Sequence, residues 1–291
     1  MQRRWWIGLL LLVGSFIALA GEGRQAVRKQ IESSMLVAGM VDIGEDGSVS
    51  GYMIDRARDL PEGVVKIIDR NVSKWRFVPI RIDGKPVKAK TRMNLLLVAK
   101  KLDESNFAVS IRSASFGNED TGSGAGEAAT SDTISAVKMA PPRYPDAAVQ
   151  TGVQGTVYLA LRIGHQGNVE DAIVEQVNLR VIGTETQMTR SRELLARATL
   201  EKARSWTFNA PKTGKEARLD FWSVRVPVDY TFDREPSSHY GQWVAYVPGP
   251  RADIPWILEP IDASYSPDSL AAGTVYQIGS GPQLLTPLDK G

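Results

Sequence analysis

The stretch from residue 142 to residue 232 constrains the fold most, because its apolar pattern and its turn residues agree with each other. Apolar side chains alternate with other residues from Gly155 to Ile163, which is the period of a half-buried strand. The residues Gly164 to Gly167 can turn the chain, and Val169 to Val177 is again rich in β-forming residues. The sequence therefore predicts an antiparallel hairpin at the start of this stretch.

A helix and a third strand are predicted after the hairpin. Ser191 can cap a helix whose inward stripe is spaced by four, four and three positions: Leu195, Thr199, Ala203 and Trp206. Pro211 and Gly214 then interrupt the chain, and Phe221 to Phe232 is predicted as the last strand. Its even positions are apolar: Trp222, Val224, Val226, Val228, Tyr230 and Phe232. The stretch thus predicts a compact β-β-α-β unit.

This unit resembles the C-terminal domain of the TonB family of periplasmic energy transducers. The residues that carry the resemblance lie mainly at its joints: Tyr144, Pro145, Gly152, Gly155, Gly167, Trp206, Phe208 and the Val226-Pro227-Val228 strand. The resemblance implies a structural role for Tyr144, Pro145, Gly155, Gly167, Trp206 and Phe208. It also implies that the protein carries inner-membrane energy to outer-membrane receptors, with the last strand pairing with a short receptor segment.

Residues 31–102 repeat the same theme in a degenerate form. Their apolar stripe has the same four, four, three spacing: Val64, Ile68, Val72 and Trp75. The turn from Gly44 to Gly47 corresponds to Gly164–Gly167, and Trp75-Arg76-Phe77 matches Trp206-Thr207-Phe208. The second copy carries an insertion, which we place in the polar stretch Asn178 to Thr189. We interpret the pattern as a duplication in which Trp75 and Phe77 are structural, and two unrelated α+β segments are the alternative.

The predicted fold class is α+β, with two small antiparallel β-sheet plus helix (β-β-α-β) domains joined by a flexible linker. The predicted divisions are residues 1–20 (leader or short anchor), 31–102 (degenerate repeat), 103–139 (linker), 140–232 (TonB C-terminal-like domain) and 233–291 (tail). The linker at 103–139 is inferred from the composition of its central stretch, Gly117 to Gly126, which is dominated by Gly, Ser, Ala, Asn, Thr and acidic residues. The tail holds eight of the sixteen prolines, so it is expected to be extended and mobile.

The N-terminus has the layout of a secretory leader. Arg3 and Arg4 precede an apolar run from Trp5 to Ala20, which ends in small residues. The alternative is an inner-membrane anchor formed by residues 5–20, although this run is shorter than the roughly 20 residues that span a bilayer. Both interpretations place the protein in the periplasm. Removing Arg3 and Arg4 leaves 33 basic against 33 acidic residues, so no nucleic-acid partner is implied.

No catalytic or metal-binding pattern is visible in the sequence. The two histidines, His165 and His239, have no ligand at metal spacing and no neighbouring nucleophile, and the chain has no cysteine. We therefore expect neither an enzyme nor a cofactor. The alternative to a TonB-like transducer is a non-energised periplasmic adaptor, or an envelope-associated binding protein, that uses the same domain.

The strand from Phe221 to Phe232 is the predicted partner-binding element. Pro227 lacks an amide hydrogen, and proline inside a strand is found mainly at sheet edges, where free backbone groups can pair with another chain. Ser223, Arg225, Asp229 and Thr231 are expected to face outward. The predicted binding residues are Val224, Arg225, Val226, Pro227, Val228, Asp229 and Tyr230. Candidate partners are outer-membrane TonB-dependent receptors, an inner-membrane proton-channel complex and a second copy, and the tail is the alternative cover of this edge.

Overall fold

The computed structural model describes residues 23–101, 106–117, 119–120, 133–214, 216–232, 240–257 and 265–288. Within these residues the chain forms two five-stranded antiparallel sheets, each with its own helix and its own apolar core. Two smaller sheets of two strands each lie beside them. The α+β class is therefore confirmed.

The first unit contains six strands and one long helix. They are β1 (Glu32–Ile43), β2 (Val49–Ile54), α1 (Glu62–Val72), β3 (Arg81–Ile82), β4 (Lys85–Pro86), β5 (Ala89–Lys101) and β6 (Phe107–Phe116). β1 pairs with β2 and β5, and β5 pairs with β6. The buried stripe of α1 packs into a core that also holds Trp75 and Phe77, both 1% exposed.

The second unit contains the hairpin, helix and third strand predicted for residues 142–232, together with further short elements. They are β7 (Glu119–Asp120), β8 (Ser135–Lys138), α2 (Asp146–Gln150), β9 (Gly155–Ile163), β10 (Val169–Leu179), α3 (Glu185–Ala203), β11 (Thr207–Asn209) and β12 (Trp222–Tyr230). Two strands from the tail, β13 (Val244–Tyr246) and β14 (Val275–Gln277), complete the list. The sheet order is β10-β9-β12-β14-β7, and β13 pairs with β1 of the first sheet.

Helix α3 starts earlier than predicted. Ser191 lies inside it, and the cap is Thr184, whose hydroxyl accepts from the Gln187 amide at 3.4 Å while the Gln187 side chain accepts from the Thr184 amide at 2.9 Å. These reciprocal bonds form a capping box, which satisfies two amides that Ser191 cannot reach. The extra residues of the second unit therefore lengthen the strand and the helix rather than a loop: β10 has 11 residues against 6 in β2, and α3 has 19 against 11 in α1.

The same joint between hairpin and helix end occurs in both units. Gly47 and Gly167 have φ angles of 79° and 78°, which favour glycine. A Cβ atom at these positions would lie 2.0 Å from the Phe77 carbonyl oxygen and 1.9 Å from the Phe208 carbonyl oxygen. In return, the Phe77 and Phe208 amides donate to the Gly47 and Gly167 carbonyls at 2.8 Å each. The correspondence seen in the sequence thus extends to backbone hydrogen bonds.

The linker prediction for residues 103–139 is wrong over much of its length. β6 is a ten-residue strand paired with β5, and its Ile111 side chain is 2% exposed in the first core. β8 pairs with β11. The Gly/Ser-rich residues 122–126 lie outside the described part of the chain. The residues of Phe107–Phe116 are mostly small or polar, but they alternate in a way that lets one face of the strand be buried. This alternation decides the structure of the segment.

The prediction of a mobile tail is also wrong for residues 240–257 and 265–288. Val247 and Val275 belong to the second core, and Leu284 and Leu288 belong to the first. The tail prolines lie outside the short strands β13 and β14, so they do not remove amides that those strands use. The tail therefore connects the two units that were predicted to fold separately.

The predicted leader, residues 1–20, lies outside the described residues. Of the helices in the part that is described, none combines the length and the apolar character needed to cross a bilayer.

Candidate partner-binding strand

β12 lies inside the second sheet rather than at its margin. On one side it pairs with β9 over nine residues, from Trp222 opposite Ile163 to Tyr230 opposite Gly155. On the other side it pairs with β14 through Val224 and Arg225. The prediction that β12 is a free edge is therefore wrong, and the alternative, that the tail covers this edge, is what the structure contains.

Pro227 explains why the two sides of β12 differ. Its carbonyl oxygen accepts from the Gly273 amide at 3.0 Å, and the Ser223 carbonyl accepts from the Ile278 amide at 2.8 Å. The N–H and C=O groups of one strand residue point to the same side of the strand, so the backbone groups of the odd residues of β12 point toward the tail. The missing amide of Pro227 therefore falls on the tail side, and the ladder with β9 is left intact.

A short stretch of the tail, residues 273–278, which we call the covering segment, occupies this side of β12. It contains β14 and is bounded by glycines with positive φ, Gly273 at 81° and Gly279 at 77°. β14 also pairs with β7 on its far side. Two register pairs and the two flanking backbone bonds hold the covering segment, against nine register pairs between β12 and β9.

The even residues of the predicted binding set face the helix, as expected. Val224, Val226 and Val228 are between 0% and 9% exposed in the second core. The Tyr230 hydroxyl lies 2.8 Å from Thr199 Oγ1 on α3, and burial raises the pKa of Tyr230. These side chains hold the strand in place, so only the backbone and the odd side chains of β12 are placed to meet a partner.

Arg225 does not face solvent, because an ion-pair cluster buries it. Its guanidinium Nε donates to Glu175 Oε2 at 2.7 Å, and Arg251 of the tail donates through Nη2 to Glu175 Oε1 at 2.6 Å. Tyr265 lies under both guanidinium groups, 4.2 Å from Arg225 Cζ and 5.2 Å from Arg251 Cζ. Glu175 is fully buried. The cluster connects the tail to the face of the second sheet opposite α3.

Asp229 is also engaged rather than free. Its carboxylate accepts from Arg180 Nη2 and from Thr156 Oγ1, each at 2.8 Å. The pair borders a cavity of about 570 Å³ between the two sheets, to which the tail contributes Tyr246 and Asp268. Tyr246 donates to Asp268 at 2.7 Å, and burial raises the pKa of Tyr246. The outward-facing side of β12 is thus an internal surface between the two units and the tail.

The residues assigned structural roles in the second unit lie in or beside its core. Trp206 Nε1 donates to the Ala140 carbonyl at 2.8 Å, and Tyr144 donates to the Val153 carbonyl at 2.5 Å. Pro145 precedes α2, and a Cβ at Gly155 would lie 2.3 Å from the Asn178 carbonyl oxygen. These contacts fix the entry into β9.

In the first unit, Trp75 and Phe77 both pack edge-on against Phe116 of β6, with ring centroids 5.6 and 4.8 Å apart. His165 lies edge-on to Trp222 at 5.1 Å. His239 lies outside the described residues. Within the described ranges, no group of three or more acidic or histidine side chains could hold a metal ion.

The tail residues of this site were not predicted from the sequence, although two signals were present. Thr274 to Ile278 is a β-rich run between glycines, and Trp243 to Val247 is another between Gly241 and Pro248. Both runs form strands or bridges, since Val247 exchanges backbone bonds of 2.8 and 3.1 Å with Leu179 at the end of β10. Proline density in the tail obscured these short runs.

The architecture defines a class of protein: an antiparallel hairpin, a helix across one face, and a third strand that joins the first hairpin strand. Comparison with known proteins finds that this chain is similar in sequence to "Protein TonB" of two strains of Xanthomonas campestris pv. campestris, each 36% identical over 100 residues. The match covers 34% of this chain and 39% of each relative. About a third of the chain is therefore related to the TonB family, as the resemblance predicted. No family model matches the sequence, and no solved structure matches it.

Proposed function

We propose that this chain is a TonB-like periplasmic protein that engages outer-membrane receptors by β-strand addition during energy-dependent transport. The relationship to Protein TonB supports the transducer class, although the chain spans less than half the length of those relatives. The observation that carries the binding proposal is the asymmetry of β12, which pairs along its whole length with β9 and only briefly with the tail. The proposal involves no enzymatic step and no cofactor.

A receptor segment would bind by replacing the covering segment. The odd residues of β12 offer the carbonyls of Ser223 and Pro227, both now bonded to the tail, together with the backbone groups of Arg225. A backbone hydrogen bond contributes roughly 1 kcal/mol net, so the short ladder on this side contributes only a few kcal/mol. An extended peptide that forms the same bonds and adds side-chain contacts could displace it.

The alternative function is a non-energised periplasmic adaptor or envelope-associated binding protein. Both functions use the same strand, and they differ in whether an inner-membrane proton-channel complex is a partner and whether residues 5–20 remain as an anchor. Intact-mass measurement of the exported protein reports the leader. Capture of proton-channel subunits together with receptors would support the transducer, and capture of receptors alone would favour the adaptor.

A disulfide lock tests strand exchange directly, because the natural chain has no cysteine. Ser223 and Ile278 lie opposite each other in the ladder, with their backbone bond at 2.8 Å, so cysteines at both positions are within bridging distance. We expect the oxidised Ser223→Cys/Ile278→Cys protein to lose capture of outer-membrane receptors from envelope extracts, and reduction to restore it.

The matched control places the bridge in the first sheet, with Asp42→Cys and Lys90→Cys at a surface register pair between β1 and β5. This bridge should leave receptor capture unchanged. Equal capture by the oxidised and reduced forms of the lock at Ser223 and Ile278 would show that β12 is not the binding strand.

A further inference from the structure

The hairpin β3–β4 stands apart from both large sheets. It forms a two-stranded sheet of its own, with Arg81 opposite Pro86 and Ile82 opposite Lys85. Asp83 and Gly84 form its turn with φ angles of 51° and 78°, the double positive-φ conformation that matches the twist of a tight hairpin. The hairpin is therefore a defined, convex projection of the first unit.

One face of the hairpin continues beyond the core. Ile80 packs against the first core, and its amide partner across the hairpin is Val87, whose N–H donates to the Ile80 carbonyl at 2.9 Å. Ile82 lies two residues further toward the tip on the same face, and its side chain is 62% exposed. Packing within the described chain does not account for an isoleucine at this tip.

Basic side chains surround the exposed isoleucine. Arg81, Lys85 and Lys88 are all exposed. Among the described residues, no carboxylate lies within ion-pair distance of these three side chains, whereas the neighbouring Lys90 and Arg92 are paired with Asp42 and Asp55. Asp83 at the turn is the acidic residue of the hairpin, so residues 80–88 carry a net charge of +2.

The equivalent segment of the second unit, between α3 and β12, is built differently. There the Glu216 carbonyl accepts from Trp222 Nε1 at 3.0 Å, and its carboxylate accepts from Gln277 Nε2 of the tail at 3.0 Å. That segment therefore has a packing role against the tail. In the hairpin of the first unit, Arg81 Nη1 donates to the Gly84 carbonyl of the same hairpin at 2.9 Å, and the side chains of Arg81, Ile82, Lys85 and Lys88 are exposed.

We propose that the β3–β4 hairpin binds the surface of a bilayer that contains anionic phospholipid. Arg81, Lys85 and Lys88 contact lipid phosphates, and Ile82 enters the boundary between headgroups and acyl chains. A convex tip fits a flat surface, whereas an acidic peptide would need a groove that the hairpin does not form. The exposed isoleucine adds an apolar contact that a bilayer can accept and a nucleic-acid backbone cannot.

Vesicle flotation of the purified exported protein tests this proposal, with phosphatidylglycerol-containing vesicles compared with pure phosphatidylcholine vesicles. Each basic side chain near an anionic surface contributes about fivefold to binding, so Arg81→Gln/Lys85→Gln/Lys88→Gln should lower the anionic-vesicle partition coefficient more than tenfold. Ile82→Ser should lower the partition coefficient severalfold while leaving net charge unchanged. All variants keep the wild-type N-terminus, so any contribution of the leader cancels.

The matched control removes three exposed arginines from α3 and its C-terminal end: Arg190→Gln/Arg197→Gln/Arg204→Gln. This variant has the same net charge as the hairpin variant and should retain wild-type binding. An equal loss in both triple variants would overturn the proposal, because only overall charge would then matter. Release of the wild-type protein from anionic vesicles by soluble glycerol phosphate at millimolar concentration, or tighter binding to polyglutamate than to vesicles, would also overturn it.

Discussion

Replacing Arg225 by methionine tests whether the buried ion-pair cluster holds the tail on the second sheet. The substitution removes the bonds of 2.7 and 3.4 Å to Glu175, a carboxylate with no exposed surface. Removing one partner of a buried pair typically costs 3–5 kcal/mol, because a buried charge loses its compensation. Glu175 keeps Arg251, so we expect about 3 kcal/mol, the lower end of that range.

The double variant Glu175→Met/Arg225→Met separates the cost of an unpaired charge from the loss of contacts. Arg251 can turn to solvent because its side chain is already 32% exposed. The double variant should therefore be more stable than Arg225→Met alone, with a coupling energy of about 2 kcal/mol. The surface substitution Arg143→Met is the matched control: Arg143 pairs with Asp146 in the open, so it should cost less than about 1 kcal/mol.

Urea unfolding monitored by tryptophan fluorescence measures these differences, and each transition is fitted separately because the chain has two cores. The transition that reports Trp206 and Trp222 should shift, since both lie in the second core. A loss below about 1 kcal/mol for Arg225→Met, or strictly additive effects in the double variant, would contradict the argument that Glu175 depends on Arg225.

Gly47→Ala and Gly167→Ala should each destabilise their own unit by more than about 2 kcal/mol in urea unfolding, because both a positive φ and a carbonyl contact oppose a Cβ. Gly63→Ala in α1 is the control and should stabilise by up to about 1 kcal/mol, since nothing lies within 4 Å of its added Cβ. Burial raises the pKa of Tyr144 to about 12, so its neutral form is favoured in the folded state. The stability that the neutral Tyr144 side chain contributes is complete below pH 10 and should be lost as the pH rises from 10 to 12. In unfolding curves measured across this pH range, Tyr144→Phe should remove the part of the loss that Tyr144 causes.

The elements that could be predicted from the sequence are those whose pattern is local. The stripe ending at Trp206, the turn at Gly167 and the alternation of Gly155–Ile163 each depend on neighbouring residues, and the structure contains all three. The start of α3 was misplaced because Ser191 and Thr184 are both acceptable caps. Only the Gln187 side chain, three residues after Thr184, distinguishes them, and that signal was present.

The cover of β12 could not be predicted from local pattern, because it depends on residues about 50 positions away along the chain. Pro227 correctly indicated that one side of β12 has an incomplete ladder, but a proline does not specify what fills the gap. Arg225 was expected to face solvent because strand alternation predicts the face of the sheet on which a side chain lies. It does not predict whether another segment of the chain covers that face. Arg225 is buried by Glu175 on β10 and by Arg251 and Tyr265 in the tail. These residues are distant from Arg225 along the chain, so a local pattern does not reveal their contact.

The position of Pro227 also limits what a partner can gain at β12. Its missing amide lies on the side of the covering segment, so any strand that binds there meets the same carbonyls of Ser223 and Pro227 and the same absent donor. An incoming segment confined to these residues would therefore form about as many backbone bonds as the covering segment it replaces, and the exchange would be nearly neutral in backbone hydrogen bonding. The difference in affinity must then come from side chains, since the covering segment contributes Val275, buried in the second core, and Tyr276, 7% exposed. A partner that binds β12 has to supply groups that compensate for both, so specificity at this strand depends on side-chain burial more than on the edge itself.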